Sequence, residues 1–71
     1  MNTYPQRPHV YARMKRTVLV EDDQMLGNLL LEILQEEEIY QVSYVLNAEE
    51  ALSLLQTETP ELVLMDINFL E

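Results

Sequence analysis

The sequence predicts a small α/β domain with the element order β-α-β-α-β and a parallel sheet in the strand order 2-1-3. Two short apolar runs, residues 17–20 and 62–65, each lead directly into acidic residues, and helical patterns lie between them. Continuous apolar runs are typical of parallel strands that are buried on both faces. Short connections between alternating strands and helices favour right-handed crossovers, and a central first strand gives the predicted order.

The first strand is predicted over residues 17–20, and the first helix begins near Gln24. Three acidic residues separate the two elements: Glu21, Asp22 and Asp23. Asp22 or Asp23 is the predicted N-cap, because a carboxylate can accept hydrogen bonds from the free N–H groups of the first turn. One apolar stripe at helical spacing predicts the helix itself. Its members are Leu26, Leu29, Leu30, Ile33 and Leu34.

The middle of this helix contains Gly27. A glycine there costs up to about 1 kcal/mol relative to alanine, so close packing against a neighbouring group is the reason we consider for it. The helix is expected to end at residues 36–38, because three glutamates at a helix C-terminus oppose the helix dipole.

The second half of the chain repeats the pattern. A second strand is predicted over residues 42–46, with a start as early as Ile39 left open, and its partial alternation suits a half-exposed edge strand. Its tyrosines are expected to pack. The second helix opens at Asn47, which forms a capping-box pattern with Glu50. The predicted apolar face of this helix consists of Ala48, Ala51, Leu52 and Leu55. The third strand is predicted over residues 62–65.

Composition limits the possible functions. The chain has 71 residues and no cysteine, which predicts one domain without disulfides or thiolate metal sites. No apolar run approaches the ~20 residues of a membrane span, and no secretory signal is present, so we expect a cytoplasmic protein without membrane contact. The net charge of −9 opposes binding to nucleic acid and favours binding to cations and basic partner surfaces.

Residues 1–16 are predicted to form a basic, disordered N-terminal tail. The segment contains all four basic residues of the chain, and two prolines interrupt any helix. His9 is more simply an unstructured side chain there than a metal ligand. Met14 is an alternative start to Met1, and the sequence does not decide between them.

The strand order places the acids after the first and third strands at one edge of the sheet, so Glu21 and Asp22 are expected to lie near Asp66. Two like charges ~5 Å apart repel by about 3 kcal/mol at an effective dielectric near ~20. No Lys or Arg follows residue 16 to offset this repulsion, which favours a bound proton or a bound cation. An all-oxygen site suits Mg²⁺, whereas Zn²⁺ prefers nitrogen and sulfur ligands, of which this chain has one histidine in the tail and no cysteine.

Other uses of paired carboxylates fit less well. The chain is too short for the cleft of a glycosidase, and an aspartic protease dyad needs two lobes or a dimer. A single glycine excludes a glycine-rich phosphate loop. The remaining chemistry is a carboxylate that attacks a phosphoryl group while Mg²⁺ neutralises the phosphoryl oxygens.

Three segments resemble the receiver domain of two-component response regulators. They are residues 18–23 (Val-Leu-Val-Glu-Asp-Asp), residues 47–52 (Asn-Ala-Glu-Glu-Ala-Leu) and residues 62–68 (Leu-Val-Leu-Met-Asp-Ile-Asn). The resemblance covers residues 17–71 and implies a truncated flavodoxin-like fold.

The resemblance also implies roles for individual residues. Asp66 resembles the phospho-acceptor, which takes a phosphoryl group from a sensor histidine kinase or a phosphotransfer protein and is not itself an enzyme. Glu21 and Asp22 resemble the acidic pair that holds Mg²⁺ together with Asp66, with Asp22 the more direct ligand. Asn68 resembles the position whose backbone carbonyl completes the metal site. Asp23 matches no assigned position and is interpreted as the helix cap.

Receivers have five strands, and the sequence accounts for three, so residues 17–71 are predicted to be an incomplete receiver domain. The Ser or Thr after the fourth strand and the Lys after the fifth, which contact the phosphoryl group in the family, are then missing. Two alternatives therefore stay open: a non-catalytic binding module for a kinase or another receiver, and an inert gene fragment. The third strand would be an open edge through which the chain could self-associate.

Overall fold

The structure is a computed structural model that describes residues 14–66. Five elements follow one another in this range: β1 (Lys15–Val20), α1 (Gln24–Glu36), β2 (Tyr40–Val45), α2 (Ala48–Leu55) and β3 (Leu62–Met65). All pairings are parallel and the strand order is β2-β1-β3, which confirms the predicted α/β unit. Most of the predicted tail, including His9, lies outside the described residues, as does Asn68.

The central strand β1 is longer than predicted. It begins at Lys15, whose N–H group donates a 2.8 Å hydrogen bond to the carbonyl oxygen of Ile39. Lys15 and Arg16 are therefore part of the sheet and not of the predicted tail. At its other end Val20 pairs with both Val45 and Met65, so the three strands end side by side.

The core lies on β1. Val18, Leu19 and Val20 are each 3% exposed or less, because strands flank them on both sides. Val18 and Val20 pack with Ala51 of α2, and Val45 and Leu54 are partly buried against that cluster.

The start of α1 confirms the predicted cap. The Asp23 carboxylate accepts hydrogen bonds from the N–H groups of Met25 at 3.0 Å and Leu26 at 3.2 Å. These bonds satisfy two of the four N–H groups that every helix leaves free at its start. The chain leaves the helix through Glu38, which has a φ of 62°. This left-handed conformation is the one that glycine usually adopts after a helix.

A capping box opens α2, as predicted, although its second bond is displaced. Asn47 accepts a 2.8 Å hydrogen bond from the N–H group of Glu50. The Glu50 carboxylate accepts from the N–H group of Leu46, one residue before the cap, also at 2.8 Å. Both bonds hold the chain at the turn between β2 and α2.

The predicted apolar face of α2 is partly wrong. Ala51 is buried, but Leu52 is 62% exposed and Leu55 is 40% exposed. Leu54 packs on the core instead. Ala51 and Leu54 share one narrow stripe at i and i+3, and the three-stranded sheet covers little more of the helix than that stripe.

The prediction that β3 is buried on both faces is also wrong. Val63 is 44% exposed and Met65 is 37% exposed, whereas Leu62 and Leu64 are half-buried. Within the described residues β3 has one neighbouring strand, β1, and forms an edge of the sheet. Burial of an apolar run depends on what covers it, and neither described helix covers β3 fully.

Candidate functional site

Two acidic residues lie next to each other at the carboxyl edge of the sheet. Val20 of β1 pairs with Met65 of β3. Glu21 follows Val20 in the sequence, and Asp66 follows Met65. Because neighbouring strands lie ~4.8 Å apart, the two acidic residues leave the sheet side by side. Both line one pocket of about 400 Å³, here called the carboxylate pocket. Its other lining residues are apolar: Leu19, Val20, Leu30, Leu34, Leu64 and Met65.

Glu21 is held in place by its surroundings. It is only 8% exposed, and its own N–H group donates to the carbonyl oxygen of Val45 at 3.1 Å. One carboxylate oxygen, Oε2, accepts a 3.1 Å hydrogen bond from the N–H group of Asp23. Burial of a charged group is costly unless hydrogen bonds compensate it, and this bond compensates part of that cost.

The other predicted site residues have different positions. Asp23 is the cap of α1, as predicted. Asp22 is exposed and is not among the described residues that line the carboxylate pocket. The structure therefore brings Glu21 and Asp66 to one pocket, and Asp22 is not part of its lining. Asn68, whose backbone carbonyl is the predicted further ligand of the metal, lies outside the described residues.

The donor chemistry of the pocket suits Mg²⁺. Between residues 14 and 66, no group of three or more His, Cys, Asp or Glu side chains is arranged to hold a metal. Mg²⁺ does not require such a group, because it commonly binds one or two carboxylates and keeps several waters. Glu21 and Asp66 supply two carboxylates at one pocket, so the residues present fit the ion.

Tyr44 is a site residue that the sequence interpretation treated only as packing. Its hydroxyl group donates a 3.0 Å hydrogen bond to the carbonyl oxygen of Glu21, and its ring lies against Gly27 of α1. Burial raises the pKa of Tyr44 above its ordinary value, and the negative charges of nearby carboxylates raise it further. Those carboxylates are Glu21, Asp23, Asp22 and Glu50. The phenol thus lies in the negative field of the strand ends.

A comparison with protein families decides the identity of the fold. The model of the response regulator receiver domain matches residues 17–70. The chain belongs to the response regulator receiver family. No curated protein and no solved structure gives a significant match to the chain.

Membership in the receiver family connects the chain with two-component signal transduction. Receiver domains are phospho-acceptors, typically bind Mg²⁺, and interact with histidine kinases or phosphotransfer proteins. Neither helix of the described receiver segment has the length and apolar character needed to cross a membrane.

Proposed function

We propose that this receiver accepts a phosphoryl group on the carboxylate of Asp66 from the phosphohistidine of a sensor histidine kinase or a phosphotransfer protein. The observation that carries the proposal is the pairing of Val20 with Met65, which sets Glu21 and Asp66 side by side. Both residues line the carboxylate pocket, so a phosphoryl group on Asp66 would lie beside a second carboxylate.

The chemical step is a direct transfer between two side chains. A carboxylate oxygen of Asp66 attacks the phosphorus atom, and the phosphorus–nitrogen bond of the donor phosphohistidine breaks. The donor imidazole leaves with the electron pair and takes up a proton, and Asp66 becomes an acyl phosphate. Carboxylates act as phosphoryl acceptors of this kind in other proteins. The chain's contribution is to position the acceptor at the end of a strand.

Glu21, Asp22 and Asp66 would hold Mg²⁺, with the backbone carbonyl of Asn68 as a further ligand. When bound, the ion offsets the negative charge of the phosphoryl oxygens and the carboxylates. Glu21 supports this role because its backbone and one carboxylate oxygen are already fixed by hydrogen bonds. Asp22 follows Glu21 directly in the chain and is exposed.

The test uses the full chain with Mg²⁺ and a small phosphoramidate, whose phosphorus–nitrogen bond resembles that of phosphohistidine. We expect the intact mass to rise by one phosphoryl group and hydroxylamine to remove it, since acyl phosphates react with that reagent. Asp66→Asn should abolish the modification. Glu61→Gln, at the opposite end of β3, is the matched control and should leave it intact. Modification that persists in Asp66→Asn would contradict the proposal.

A second candidate is a non-catalytic binding module for a kinase or another receiver. It is favoured by a stripe of exposed apolar side chains on α1, where Leu26, Leu29 and Ile33 are between 42% and 53% exposed. Capture of a kinase that does not change in Asp66→Asn would support the module over phosphoryl transfer. A cytoplasmic location is part of both proposals, and self-association through β3 stays a prediction.

A further inference from the structure

Both backbone groups of Glu21 are held by β2. The N–H group of Glu21 donates to the carbonyl oxygen of Val45 at 3.1 Å. The carbonyl oxygen of Glu21 accepts a 3.0 Å hydrogen bond from the hydroxyl group of Tyr44. Tyr44 and Val45 are consecutive residues of β2, so two neighbouring residues of one strand fix the chain at the carboxylate pocket.

The hydroxyl group of Tyr44 takes the place of a backbone donor. In a parallel ladder, a residue that donates to one residue of the neighbouring strand accepts from the residue two positions further along that strand. Glu21 donates to Val45, so its carbonyl oxygen would accept from the N–H group of Asn47. However, β2 ends at Val45, and Asn47 is the N-cap of α2. The phenol therefore supplies a hydrogen bond at the point where strand pairing stops.

The direction of the phenol is set by its position between β2 and α1. Successive side chains of a strand point to opposite faces of the sheet. Val45 packs toward the cluster that contains Ala51 of α2, whereas Tyr44 lies against Gly27 of α1 on the other face. A Cβ atom at position 27 would collide with the tip of the ring. The glycine thus gives the hydroxyl group the space from which it reaches the Glu21 carbonyl.

This hydrogen bond acts on the residues that follow Glu21. The carbonyl group of Glu21 and the N–H group of Asp22 belong to one planar peptide unit, so the bond fixes the direction in which the chain enters Asp22. One residue later, the N–H group of Asp23 donates to Oε2 of Glu21 at 3.1 Å. The carbonyl oxygen of Asp23 accepts from the N–H group of Gly27 at 2.7 Å. Residues 21–23 are therefore held by β2 at one end and by α1 at the other.

From these contacts we infer that Tyr44 is a positioning residue of the carboxylate pocket. Its hydroxyl group holds the peptide unit between Glu21 and Asp22, and this unit keeps the Glu21 carboxylate in place for a cation. The effect on the cation rests on the proposed Mg²⁺ site, whereas the effect on residues 21–23 needs no metal. A tyrosine that only packs would keep its role after loss of the hydroxyl group.

The first measurement is made on the full chain without metal. Tyr44→Phe keeps the ring over Gly27 and removes the donor. We expect the amide hydrogen of Asp23, which is bonded to the Glu21 carboxylate, to exchange about fivefold faster in this variant. Tyr40→Phe removes the same group at the other end of β2 and is the chemical control. Ala51→Gly is the stability control, because it weakens α2 on the opposite face of the sheet.

The second measurement is a titration of the same variants with Mg²⁺, followed by amide chemical shifts. We expect the dissociation constant to rise about tenfold in Tyr44→Phe, since groups that orient metal ligands commonly have effects of this size. It should stay unchanged in Tyr40→Phe and in Ala51→Gly, although Ala51→Gly unfolds at lower urea concentration. A merely structural role of Tyr44 would make the affinity follow the urea midpoint, so Ala51→Gly would lose affinity as well.

Gly27→Ala approaches the same contact from α1. It displaces the phenol without removing its hydroxyl group, and it should also speed exchange at Asp23 and weaken Mg²⁺ binding. It decides the question if Tyr44→Phe does not fold.

The outcomes separate this inference from the proposed function. Equal exchange at Asp23 in the wild type and Tyr44→Phe would overturn the positioning role, and so would an equal affinity for Mg²⁺. Failure of the wild type to bind Mg²⁺ would refute the proposed metal site and with it the effect of Tyr44 on the cation. In that case the exchange at Asp23 still decides whether Tyr44 holds residues 21–23.

Discussion

The ring of Tyr44 lies directly over Gly27, and its hydroxyl group donates a 3.0 Å hydrogen bond to the carbonyl oxygen of Glu21. A Cβ atom at position 27 would collide with the tip of the phenol. Gly27 lowers the helix propensity of α1, but the absence of a side chain leaves the space that the ring of Tyr44 occupies. This arrangement ties β2 and α1 to the start of the loop that carries the carboxylate pocket.

Gly27→Ala tests that relationship. The substitution should gain up to about 1 kcal/mol in helix propensity but lose more, since overpacking costs about 1–3 kcal/mol and displacement of Tyr44 breaks its hydrogen bond. We expect a net destabilisation of about 1 kcal/mol by urea unfolding. In a Tyr44→Ala background the same change should become stabilising. Equal effects of Gly27→Ala in both backgrounds would show that the two residues do not interact.

The folding stability of the Tyr44→Phe variant should depend less on pH in the alkaline range than that of the wild type. The pKa of Tyr44 is raised in the folded chain by burial and by the neighbouring carboxylates. A group with a raised folded pKa contributes stability below its unfolded pKa of about 10, and this contribution is lost as the pH rises through the folded value. The wild type should therefore be more stable than Tyr44→Phe at neutral pH, and the difference should shrink above about pH 10. Urea unfolding across this range measures it, with Tyr40→Phe as the matched control.

Asp23→Ala and Asp22→Ala should have unequal effects, although the two residues are adjacent. Asp23 accepts hydrogen bonds from two N–H groups of α1, and its loss should cost about 1 kcal/mol. Asp22 is exposed, so its replacement should change stability by less than about 0.5 kcal/mol. Thermal unfolding compares the two variants, and faster amide exchange at Met25 and Leu26 should accompany only Asp23→Ala. Equal destabilisation would contradict the assignment of the cap.

Glu38→Gly should stabilise the fold by about 1 kcal/mol. The φ of 62° at Glu38 is unfavourable for a residue with a Cβ atom, and a negative charge after a helix opposes its dipole. Glu37→Gly is the control, because Glu37 has a φ of −72° and gains nothing from glycine. Urea unfolding should show opposite signs for the two variants. Destabilisation by Glu38→Gly would mean that the left-handed conformation does not strain the chain.

Mg²⁺ should raise the stability of the wild type. A ligand that binds only the folded state adds about 1.4 kcal/mol when its free concentration is ten times its dissociation constant. Glu21→Gln and Asp66→Asn should each reduce the gain, whereas Glu58→Gln should not. Na⁺ at matched ionic strength separates specific binding from screening. A gain of the same size in all variants would contradict a site at the carboxylate pocket.

The sequence predicted local features of this fold well, because each depends on neighbouring residues. The caps Asp23 and Asn47 follow from short-range hydrogen bonds, and the apolar runs that precede Glu21 and Asp66 indicate strands directly. The strand order followed from the connections between these elements.

Features that depend on distant partners were predicted less well. The exposure of β3 depends on how many strands and helices pack against it, and an apolar run in the sequence does not give that number. The contact between Tyr44 and Gly27 depends on the register of β2 against β1 and on the position of α1 above it. The single glycine in the helical pattern was the only sequence signal for this contact.

The position of β1 between β2 and β3 has a consequence for the order of folding. The segment from β1 to β2 closes a short loop and already contains the Tyr44 contact, whereas β3 must return to β1 over a much longer stretch of chain. Closure of longer loops costs more entropy and tends to come later. Asp66 should then reach the sheet edge after Glu21, so cation affinity at that edge would report whether β3 has docked.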